Sequence, residues 1–329
     1  MTASPTPTRS VTGTIYVSRL LTDRAMRHLQ SLGASIRVGS EAPPNRAEFE
    51  AGIAGASAAV ITLTERVDAQ MLAAAGPQLK VIANVAVGFD NIDLSAAEAA
   101  GVTVTNTPGV LDRASADHTF ALILDATRRI TEGDRLIRSQ QAWIWGPRML
   151  VGLDISAGAT LGILGYGRIG QAVARRAQAF DMTVIASSRS RTPGSVEDGV
   201  TFVDISTLLA DSDVVTVHTP LTAVTRHLID AAALRLMKPT AYLINTARGG
   251  VVDEEALIAA LHSGEIRGAA LDVFEGEPRV NPALLDAPGL VLTPHTASAG
   301  EATRDTMGIL AIDNAAAVLT GKPPLTPVR

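Results

Sequence analysis

Three segments in the second half of the chain carry reactive side chains directly after apolar, strand-like runs. The segments are residues 244–250, 271–278 and 292–299. They supply the guanidinium of Arg248, the imidazole of His295 and the carboxylates of Glu275 and Glu277. A guanidinium can hold an anionic carboxylate through two hydrogen bonds, and an imidazole exchanges a proton near neutral pH. The set indicates acid–base chemistry beside an anion-holding group, and the spacing leaves the choice between Glu275 and Glu277 open.

The positions of these groups predict that they share one site. In an open α/β sheet, ligands bind outside the carboxyl ends of the strands, and each segment follows a strand-like run. Taken singly, His295 after a proline, Glu277 before one and Arg248 after a strand are as readily explained as ordinary loop residues. Their occurrence at successive strand ends favours catalysis.

A glycine-rich turn precedes them near the middle of the chain. It comprises Gly165, Tyr166, Gly167, Arg168, Ile169 and Gly170. An apolar run over 160–164 comes before it, and a helical stretch over 171–180 and an apolar run over 182–186 follow. This is the strand–turn–helix–strand context of a dinucleotide fingerprint. The turn therefore predicts a pyrophosphate at the start of the helix, and the alternative is a tight turn without a ligand.

The end of the second strand of this unit bears on the choice of dinucleotide. NAD-binding units usually place an acid about twenty residues beyond the turn, where it accepts hydrogen bonds from the ribose hydroxyls. Here the strand is followed by Ser188, Arg189, Ser190 and Arg191, with no acid. Because arginine pairs with a 2′-phosphate, the sequence predicts NADP(H) in preference to NAD(H). The alternative is a solvated basic turn.

Composition excludes several classes of protein. The 329 residues are 47% hydrophobic and 19% charged with a formal net charge of −5, so nothing indicates nucleic-acid binding. The absence of cysteine excludes disulfides and thiolate metal sites, and the six histidines show no metal-ligand spacing, so no metal site is predicted. No apolar run has the length of a membrane span, and residues 1–13 are expected to be a flexible lead-in and not a secretory signal. We expect a cytoplasmic protein.

The elements that would position the reactive groups alternate along the chain. Short β-type runs and helical runs follow one another, which predicts parallel sheets with helices on both faces. Strands are predicted at 15–17, 35–38, 58–61, 80–84, 102–105, 160–164, 182–186, 214–217, 241–244, 269–273 and 290–292. Helices are predicted at 23–32, 47–54, 68–75, 95–100, 114–139, 171–180, 253–262 and 301–319. The predicted fold class is α/β, with two α/β units.

The chain also resembles the D-isomer-specific 2-hydroxyacid dehydrogenases, and within them the glyoxylate/hydroxypyruvate reductases. The resemblance covers nearly the whole chain after the lead-in and rests on several motifs in order. The motifs are residues 87–93, 106–111, 165–170, 245–249, 272–278 and 294–299. It implies two doubly wound parallel-sheet domains with a cleft between them. These are a flavodoxin-like substrate-binding domain of residues 14–107 and 299–329 and a Rossmann dinucleotide-binding domain of residues 108–298.

The resemblance implies the NADPH-dependent reduction of small 2-keto acids, glyoxylate and hydroxypyruvate, with Arg248, Glu277 and His295 as the catalytic set. His295 would donate a proton to the keto oxygen. Glu277, the acid that directly precedes the proline, would orient the ring and favour its protonated form. Arg248 would hold the substrate carboxylate and polarise the carbonyl.

Substrate contacts beyond this set are implied in both halves of the chain. Leu63 would make an apolar contact, and the backbone amides of Val87 and Gly88 would bind the substrate carboxylate. Trp145 would be inserted by the neighbouring subunit of a homodimer, although Trp143 and Trp145 also suit interface packing without substrate contact. The dimer contact is expected along the helix predicted over 114–139.

Cofactor contacts are implied along the whole nucleotide. His218, Thr219 and Pro220 would line the adenine side, and Asp272 would lie near the nicotinamide amide. The other implied contacts are Gly165, Gly167, Arg168, Ile169, Gly170, Ser188, Arg189, Ser190, Thr246, Ala247, Arg248, His295 and Ser298.

Two other functions stay open at this stage. A longer 2-keto acid such as 2-ketogluconate is the alternative substrate, and a nucleotide-sensing corepressor is the alternative from another class of protein. The chain departs from the family pattern at Asp112-Arg113, Arg148-Met149 and Asp181, and at His118, where relatives have an apolar residue. These departures leave the catalytic set intact and bear on substrate size and on the dimer contact.

Overall fold

The computed structural model describes residues 11–328, and these residues form two compact units. One unit ends at Leu111 and resumes at Gly300, and the other spans Asp112–Ala299. The predicted lead-in, residues 1–13, lies outside the described residues except for residues 11–13.

The first unit is built on a parallel sheet. Its elements are β1 (Thr14–Val17), α1 (Asp23–Ser31), β2 (Ser35–Val38), α2 (Arg46–Ile53), β3 (Ala58–Ile61), α3 (Ala69–Ala75), β4 (Val81–Asn84), α4 (Leu94–Ala99), β5 (Thr103–Thr105) and α12 (Glu301–Leu319). The strands pair in the order β2-β1-β3-β4-β5, all in parallel. Every position of β3 and β4 is buried, so neither strand shows an alternation of apolar and polar residues in its sequence.

The second unit is built on a larger sheet that carries the predicted catalytic segments. Its elements are α5 (Asp112–Arg128), α6 (Ile130–Arg138), β6 (Thr160–Leu164), α7 (Arg168–Ala179), β7 (Thr183–Ser187), β8 (Val196–Glu197), β9 (Val200–Phe202), α8 (Ile205–Asp211), β10 (Val214–Val217), α9 (Ala231–Leu236), β11 (Tyr242–Asn245), α10 (Glu254–Ser263), β12 (Gly268–Leu271), α11 (Pro282–Leu285) and β13 (Leu290–Leu292). The eight strands pair in the order β13-β12-β11-β10-β6-β7-β9-β8, and β8 alone runs antiparallel to its neighbour. The two sheets confirm the predicted α/β class with two parallel sheets.

Aspartate caps define where many of the helices begin. Asp68, Asp93, Asp204, Asp230 and Asp253 each accept a hydrogen bond from the backbone amide three residues further on. Such a bond satisfies one of the amides that a helix start leaves unpaired. The caps account for α8 and α9, which are too short for apolar periodicity to predict and which the sequence pattern did not reveal.

The single helix predicted over 114–139 is wrong. The chain forms α5, breaks at Arg129 in the left-handed region with a φ of 54°, and continues as α6. The carboxylate of Asp125 accepts hydrogen bonds from the amide of Thr131, at 2.7 Å, and from its hydroxyl, at 2.6 Å, and so caps the second helix from the first. Both pieces keep helical spacing, and periodicity therefore cannot reveal the break.

Apolar packing covers both faces of the larger sheet. Neighbouring side chains of β6 point to opposite faces, so that Ile163 belongs to one buried cluster and Leu164 to the other. The first cluster includes residues of α5 and α7, and the second includes residues of α8, α9 and α10. None of the described helices is both long and apolar enough to cross a membrane.

We expect the central strand to be the most sensitive part of this core. Leu161 in β6 is fully buried, and truncation to alanine should lower the free energy of unfolding by about 2–5 kcal/mol, because it leaves a cavity. Leu285 in α11 is 63% exposed and provides a matched control, for which the same substitution should cost less than about 0.5 kcal/mol. Denaturant unfolding of both variants measures the difference. Equal losses would contradict this account of the core.

Candidate active site

The glycine turn lies between β6 and α7, and close backbone approaches require two of its glycines. A Cβ on Gly165 would lie 2.6 Å from the carbonyl oxygen of His218, and a Cβ on Gly170 would lie 2.3 Å from that of Gly165. Gly165 also has a φ of 97°. Gly167 is different, because no described atom beyond its own and the two adjacent residues lies within 4 Å of where its Cβ would be. The turn therefore leaves open space in front of α7.

This open space fits a pyrophosphate. The first-turn amides of a helix have no intrahelical partner, and the helix dipole favours an anion there. Gly167 precedes α7 and has no side chain to cap them. The buried hydroxyl of Thr219, whose amide approaches Gly165, makes no hydrogen bond within the described residues. A buried hydroxyl without a partner is unfavourable, and a phosphate or ribose oxygen would satisfy it.

His218 lies beside this turn as an uncharged ring. Burial lowers the pKa of His218 to about 4, so the imidazole is neutral at ordinary pH. Its Nε2 shares a hydrogen bond of 3.0 Å with the hydroxyl of Thr216. A neutral ring suits contact with an uncharged nucleobase better than contact with a phosphate.

The turn after β7 offers one arginine where the sequence suggested two. Arg191 donates hydrogen bonds to Glu197 at 2.6 and 3.2 Å, and its guanidinium lies 5.9 Å from the centre of the Phe202 ring. Arg189 and Ser190 are exposed. Glu197 comes from β8, and it brings into this turn an acid that the local sequence does not contain. Arg191 lowers the pKa of Glu197 by hydrogen bonding.

His295 and Glu277 form a hydrogen-bonded pair beyond the ends of β13 and β12. His295 Nδ1 lies 2.7 Å from Glu277 Oε2, and the two side chains are 23% and 27% exposed. The other carboxylate oxygen of Glu277 accepts the amide of Phe274 at 2.8 Å. The backbone of His295 has a φ of 53° and donates to the carbonyl of Asp272 at 2.8 Å. The pair is held on both sides, and Nε2 of His295 makes no hydrogen bond to any described residue.

Glu275 is occupied elsewhere. Its carboxylate bonds Nε2 of His227, and its amide donates to Glu254 at 2.7 Å. Burial raises the pKa of Glu254, and this carboxylate supports the loop that carries Glu277. From sequence, Glu254 is one of three acids at the start of α10, and the pattern does not reveal this contact. The sequence spacing did not decide between Glu275 and Glu277 as the partner of His295, and in the structure Glu277 is that partner.

Asp272 is fully buried and holds the segment around His295. Its Oδ1 accepts the hydroxyl of Thr293 at 2.6 Å and the amide of Thr296 at 2.8 Å, and its Oδ2 accepts the amide of Ala297 at 2.8 Å. Burial raises the pKa of Asp272, but the hydrogen bonds from His118, Thr293 and these amides outweigh it, so the pKa lies below its usual value. The carboxylate is therefore ionised, and both of its oxygens are used within the protein.

Arg248 follows β11 in a loop that packs closely against the Glu277 loop. The side chain of Asn245 donates to the carbonyl of Arg248 at 2.9 Å, and Arg248 Nη1 donates to the carbonyl of Ala247 at 2.8 Å. A Cβ on Gly249 would lie 1.9 Å from the carbonyl carbon of Phe274. The sequence pattern did not assign a role to Gly249, although the paired glycines after the arginine are the available signal. This contact fixes the Arg248 loop against the loop that carries Glu277.

In the other unit, buried polar groups hold the turn that contains Leu63. Glu65 is buried and accepts the hydroxyl of Ser18 at 2.5 Å and the amide of Thr62 at 2.6 Å. The side-chain amide of Asn91 donates to the carbonyls of Thr62 and Glu65, at 3.1 and 3.0 Å. The turn is therefore anchored at both ends, with Leu63 half-buried between them.

The predicted carboxylate-binding amides lie in a neighbouring loop of the same unit. The carbonyl of Val87 accepts the side chain of Asn106 at 2.8 Å, and the carbonyl of Gly88 accepts that of Asn84 at 2.9 Å. The amides of Val87 and Gly88 make no hydrogen bond within the described part of the chain. Asn84 ends β4 and Asn106 lies in the loop after β5, and no periodic pattern links them to the carbonyls they contact, so the sequence did not reveal these two supports.

The tryptophan segment between α6 and β6 is open to solvent. Trp145 is 76% exposed, Trp143 is 51% exposed and Ile144 between them is 91% exposed. These side chains lie on the surface of the second unit.

The Gly249 contact yields a stability prediction. Gly249→Ala should lower the free energy of unfolding by about 1–3 kcal/mol, because the new methyl group overlaps the backbone at Phe274 and the two loops must separate. Gly146→Ala is the matched control, since nothing lies within 4 Å of that position, and it should change stability by less than about 0.5 kcal/mol. Thermal or denaturant unfolding compares the two variants. A loss no greater than that of the control would refute the close contact.

Comparison with known proteins identifies the family. Residues 120–297 match the model of the D-isomer specific 2-hydroxyacid dehydrogenase, NAD binding domain. The glyoxylate reductase of Thermococcus litoralis is 43% identical over 317 residues, which are 94% of this chain and 95% of that protein.

Solved structures that are similar to this chain support the same family. A protein of Thermus thermophilus superposes with a TM-score of 0.90 at 42% identity, covering 96% of this chain and all of that one. The NADPH-dependent glyoxylate/hydroxypyruvate reductase of Sinorhizobium meliloti, solved with NADP and malonate, superposes with a TM-score of 0.82 at 34% identity, covering 96% of each chain. These matches confirm the resemblance drawn from the motifs. The chain belongs to the D-isomer specific 2-hydroxyacid dehydrogenase family, and it is an oxidoreductase with a nicotinamide dinucleotide as its cofactor.

Proposed function

We propose that this enzyme reduces glyoxylate and hydroxypyruvate to glycolate and D-glycerate with NADPH. The observation that carries the proposal is the His295–Glu277 pair, held beside the Arg248 loop at the carboxyl ends of strands in the sheet that bears the glycine turn. The relatives named glyoxylate reductase, which match along nearly the whole chain, support the substrate class. In this proposal, Asp112–Ala299 is the dinucleotide-binding domain, and the other unit binds the substrate.

In the proposed reaction each catalytic group has one task. A bound reduced nicotinamide supplies a hydride to the keto carbon. His295 gives its Nε2 proton to the keto oxygen, because Nδ1 is engaged by Glu277. The carboxylate of Glu277 accepts a hydrogen bond from Nδ1 and so fixes the orientation of the ring. Arg248 holds the substrate carboxylate and stabilises the negative charge that develops on the keto oxygen.

The first unit would contribute the second anchor for the substrate. The backbone amides of Val87 and Gly88 have no partner in the described residues, and two such donors suit a carboxylate. Their carbonyls are tied back by asparagines, which keeps the amides in place. Leu63 would supply an apolar contact that favours a small substrate. In this proposal, these groups would bind a short 2-keto acid.

The dinucleotide would be held by residues along the second sheet. The pyrophosphate would bind at Gly165, Gly167, Arg168, Ile169 and Gly170, where the first-turn amides of α7 face open space. The other proposed contacts are Ser188, Arg189, Ser190, His218, Thr219, Pro220, Thr246, Ala247, Arg248, Asp272, His295 and Ser298. The preference for NADPH rests on the exposed Arg189 and on the neutralisation of Glu197 by Arg191, because an unpaired Glu197 would repel a 2′-phosphate.

We also propose that the enzyme is a cytoplasmic homodimer. No residue of α6 is buried, and Ile130 and Ile137 on this helix are 57% and 58% exposed. The following segment exposes Trp145, which in this proposal enters the partner's active site. Exposed aromatic and apolar groups of this kind are enriched at interfaces.

Steady-state kinetics with both cofactors tests the function. The enzyme should oxidise NADPH with glyoxylate and hydroxypyruvate, and 2-ketogluconate should be turned over more slowly. Arg189→Asp should raise the KM for NADPH by about 10- to 100-fold, because it replaces a charge-assisted hydrogen bond with repulsion, and should leave the KM for NADH within about threefold.

Arg235→Asp is the charge-matched control, because Arg235 is an exposed residue of α9. It should affect neither cofactor. Equal loss with NADPH and NADH in the Arg189 variant would show that this residue does not bind the phosphate. Equal turnover with both cofactors in the unmodified enzyme would refute the NADPH preference. Nucleotide binding without turnover of any keto acid would refute the proposed activity and favour a corepressor role.

The His295–Glu277 pair gives a second test. Glu277→Gln should lower kcat/KM by about 100-fold or more, because the His295 ring loses the carboxylate that orients it for proton transfer. Glu275→Gln is the matched control, since its carboxylate bonds His227. It should cost less than about fivefold. A larger loss for the Glu275 variant would reverse the assignment of the acid.

A further inference from the structure

We propose that His118 of α5 is a positioning residue for catalysis, acting on His295 through Asp272. The proposal rests on the proposed function, because it concerns how the proton donor is held. His118 Nε2 lies 3.2 Å from Asp272 Oδ1 and 3.2 Å from the hydroxyl of Thr293. His118 itself lies outside the set of groups assigned to substrate or cofactor.

The hydrogen-bond chemistry fixes the role of His118 as a donor. The single hydroxyl proton of Thr293 is directed at Asp272 Oδ1, at 2.6 Å, and an ionised carboxylate only accepts. Both neighbours of His118 Nε2 are therefore acceptors toward it. Nε2 must carry a proton whether the ring is neutral or charged. His118 adds a donor to a carboxylate that is buried completely.

This donor differs from the others in its origin. The other donors to Asp272 within the described residues are Thr293, Thr296 and Ala297, which belong to the segment that contains His295. Those bonds hold the segment around His295 to Asp272, but they do not connect Asp272 to any helix. The bond from His118 joins Asp272 to α5, the long helix packed on the sheet.

The next residue of the same helix makes a parallel connection. Thr119 donates its hydroxyl proton to the carbonyl of Ser115 at 2.8 Å, so the hydroxyl of Thr246, also at 2.8 Å, donates to Thr119. Thr246 lies in the loop of Arg248. Helix α5 thus holds the loop of the proposed anchor through Thr119 and the segment of the proposed proton donor through His118. Loss of the His118 bond would loosen the second of these connections only.

The test compares two substitutions of His118 whose side-chain amides differ in whether they extend to the position of Nε2. The side-chain amide of glutamine reaches the position of Nε2 and restores a donor, whereas that of asparagine does not. His118→Asn should lower kcat by about tenfold with the KM for NADPH and keto acid within about threefold, and His118→Gln should retain kcat within about threefold. His28→Asn is the matched control, because His28 Nε2 bonds Asp313 Oδ1 at 2.7 Å in the other unit, and it should leave kcat unchanged.

A second measurement does not depend on activity. Amide hydrogen exchange at Thr296 and Ala297 should accelerate by about tenfold in His118→Asn and not in His118→Gln, because their bonds to Asp272 open more often when the carboxylate is not held to α5. Equal kcat in the Asn and Gln variants, an equal loss in the His28 control, or unchanged exchange would overturn the proposal. If the unmodified enzyme turns over no keto acid, the proposed function fails instead, and the exchange rates alone decide whether His118 holds this segment.

Discussion

A fully buried carboxylate must be surrounded by hydrogen-bond donors, and the candidate active-site edge of the larger sheet is organised around this requirement at Asp272. The residue directly follows β12 and is fully buried, and the donors that satisfy it come from the chain beyond β13 and from α5. Meeting the requirement forces residues 293–297 to curl around Asp272. That curl places His295 in the left-handed region, where its ring meets Glu277. The geometry of the proposed proton donor is therefore a consequence of how the buried charge of Asp272 is solvated.

Close backbone contact is the second constraint on the site. Gly165 meets the backbone of His218, and Gly249 meets the backbone of Phe274, at distances that no side chain could occupy. The first contact sets the glycine turn against the loop after β10, and the second sets the Arg248 loop against the Glu277 loop. Loops that carry function need a rigid scaffold, and here the scaffold is formed by loops touching one another at glycine.

Sequence patterns predicted correctly those features that depend on interactions between residues close together in the chain. The glycine turn, its flanking strand and helix, and the alternation of strands and helices all depend on residues close together in the sequence, and both sheets formed as expected. The helix expected over 114–139 was wrong because one residue, Arg129, adopts a left-handed conformation between two helical pieces that share the same periodicity. The sequence pattern also did not predict the short helices α8 and α9. Each is marked by an aspartate cap at its start more than by a periodic apolar stripe.

The sequence by itself determined the α/β class, the glycine turn between a strand and a helix, and the three segments that carry the reactive groups, because each depends on residue order and spacing. Only the tertiary structure decided which acid meets His295. Glu275 and Glu277 lie two residues apart, and what distinguishes them is that Glu275 is bound by His227 and Glu254, which lie far away in the chain. It likewise decided that Arg191 is bound by Glu197 while Arg189 stays exposed, and that His118 reaches Asp272. Such pairings depend on how strands and helices pack in three dimensions, and packing brings together side chains whose separation in sequence carries no signal.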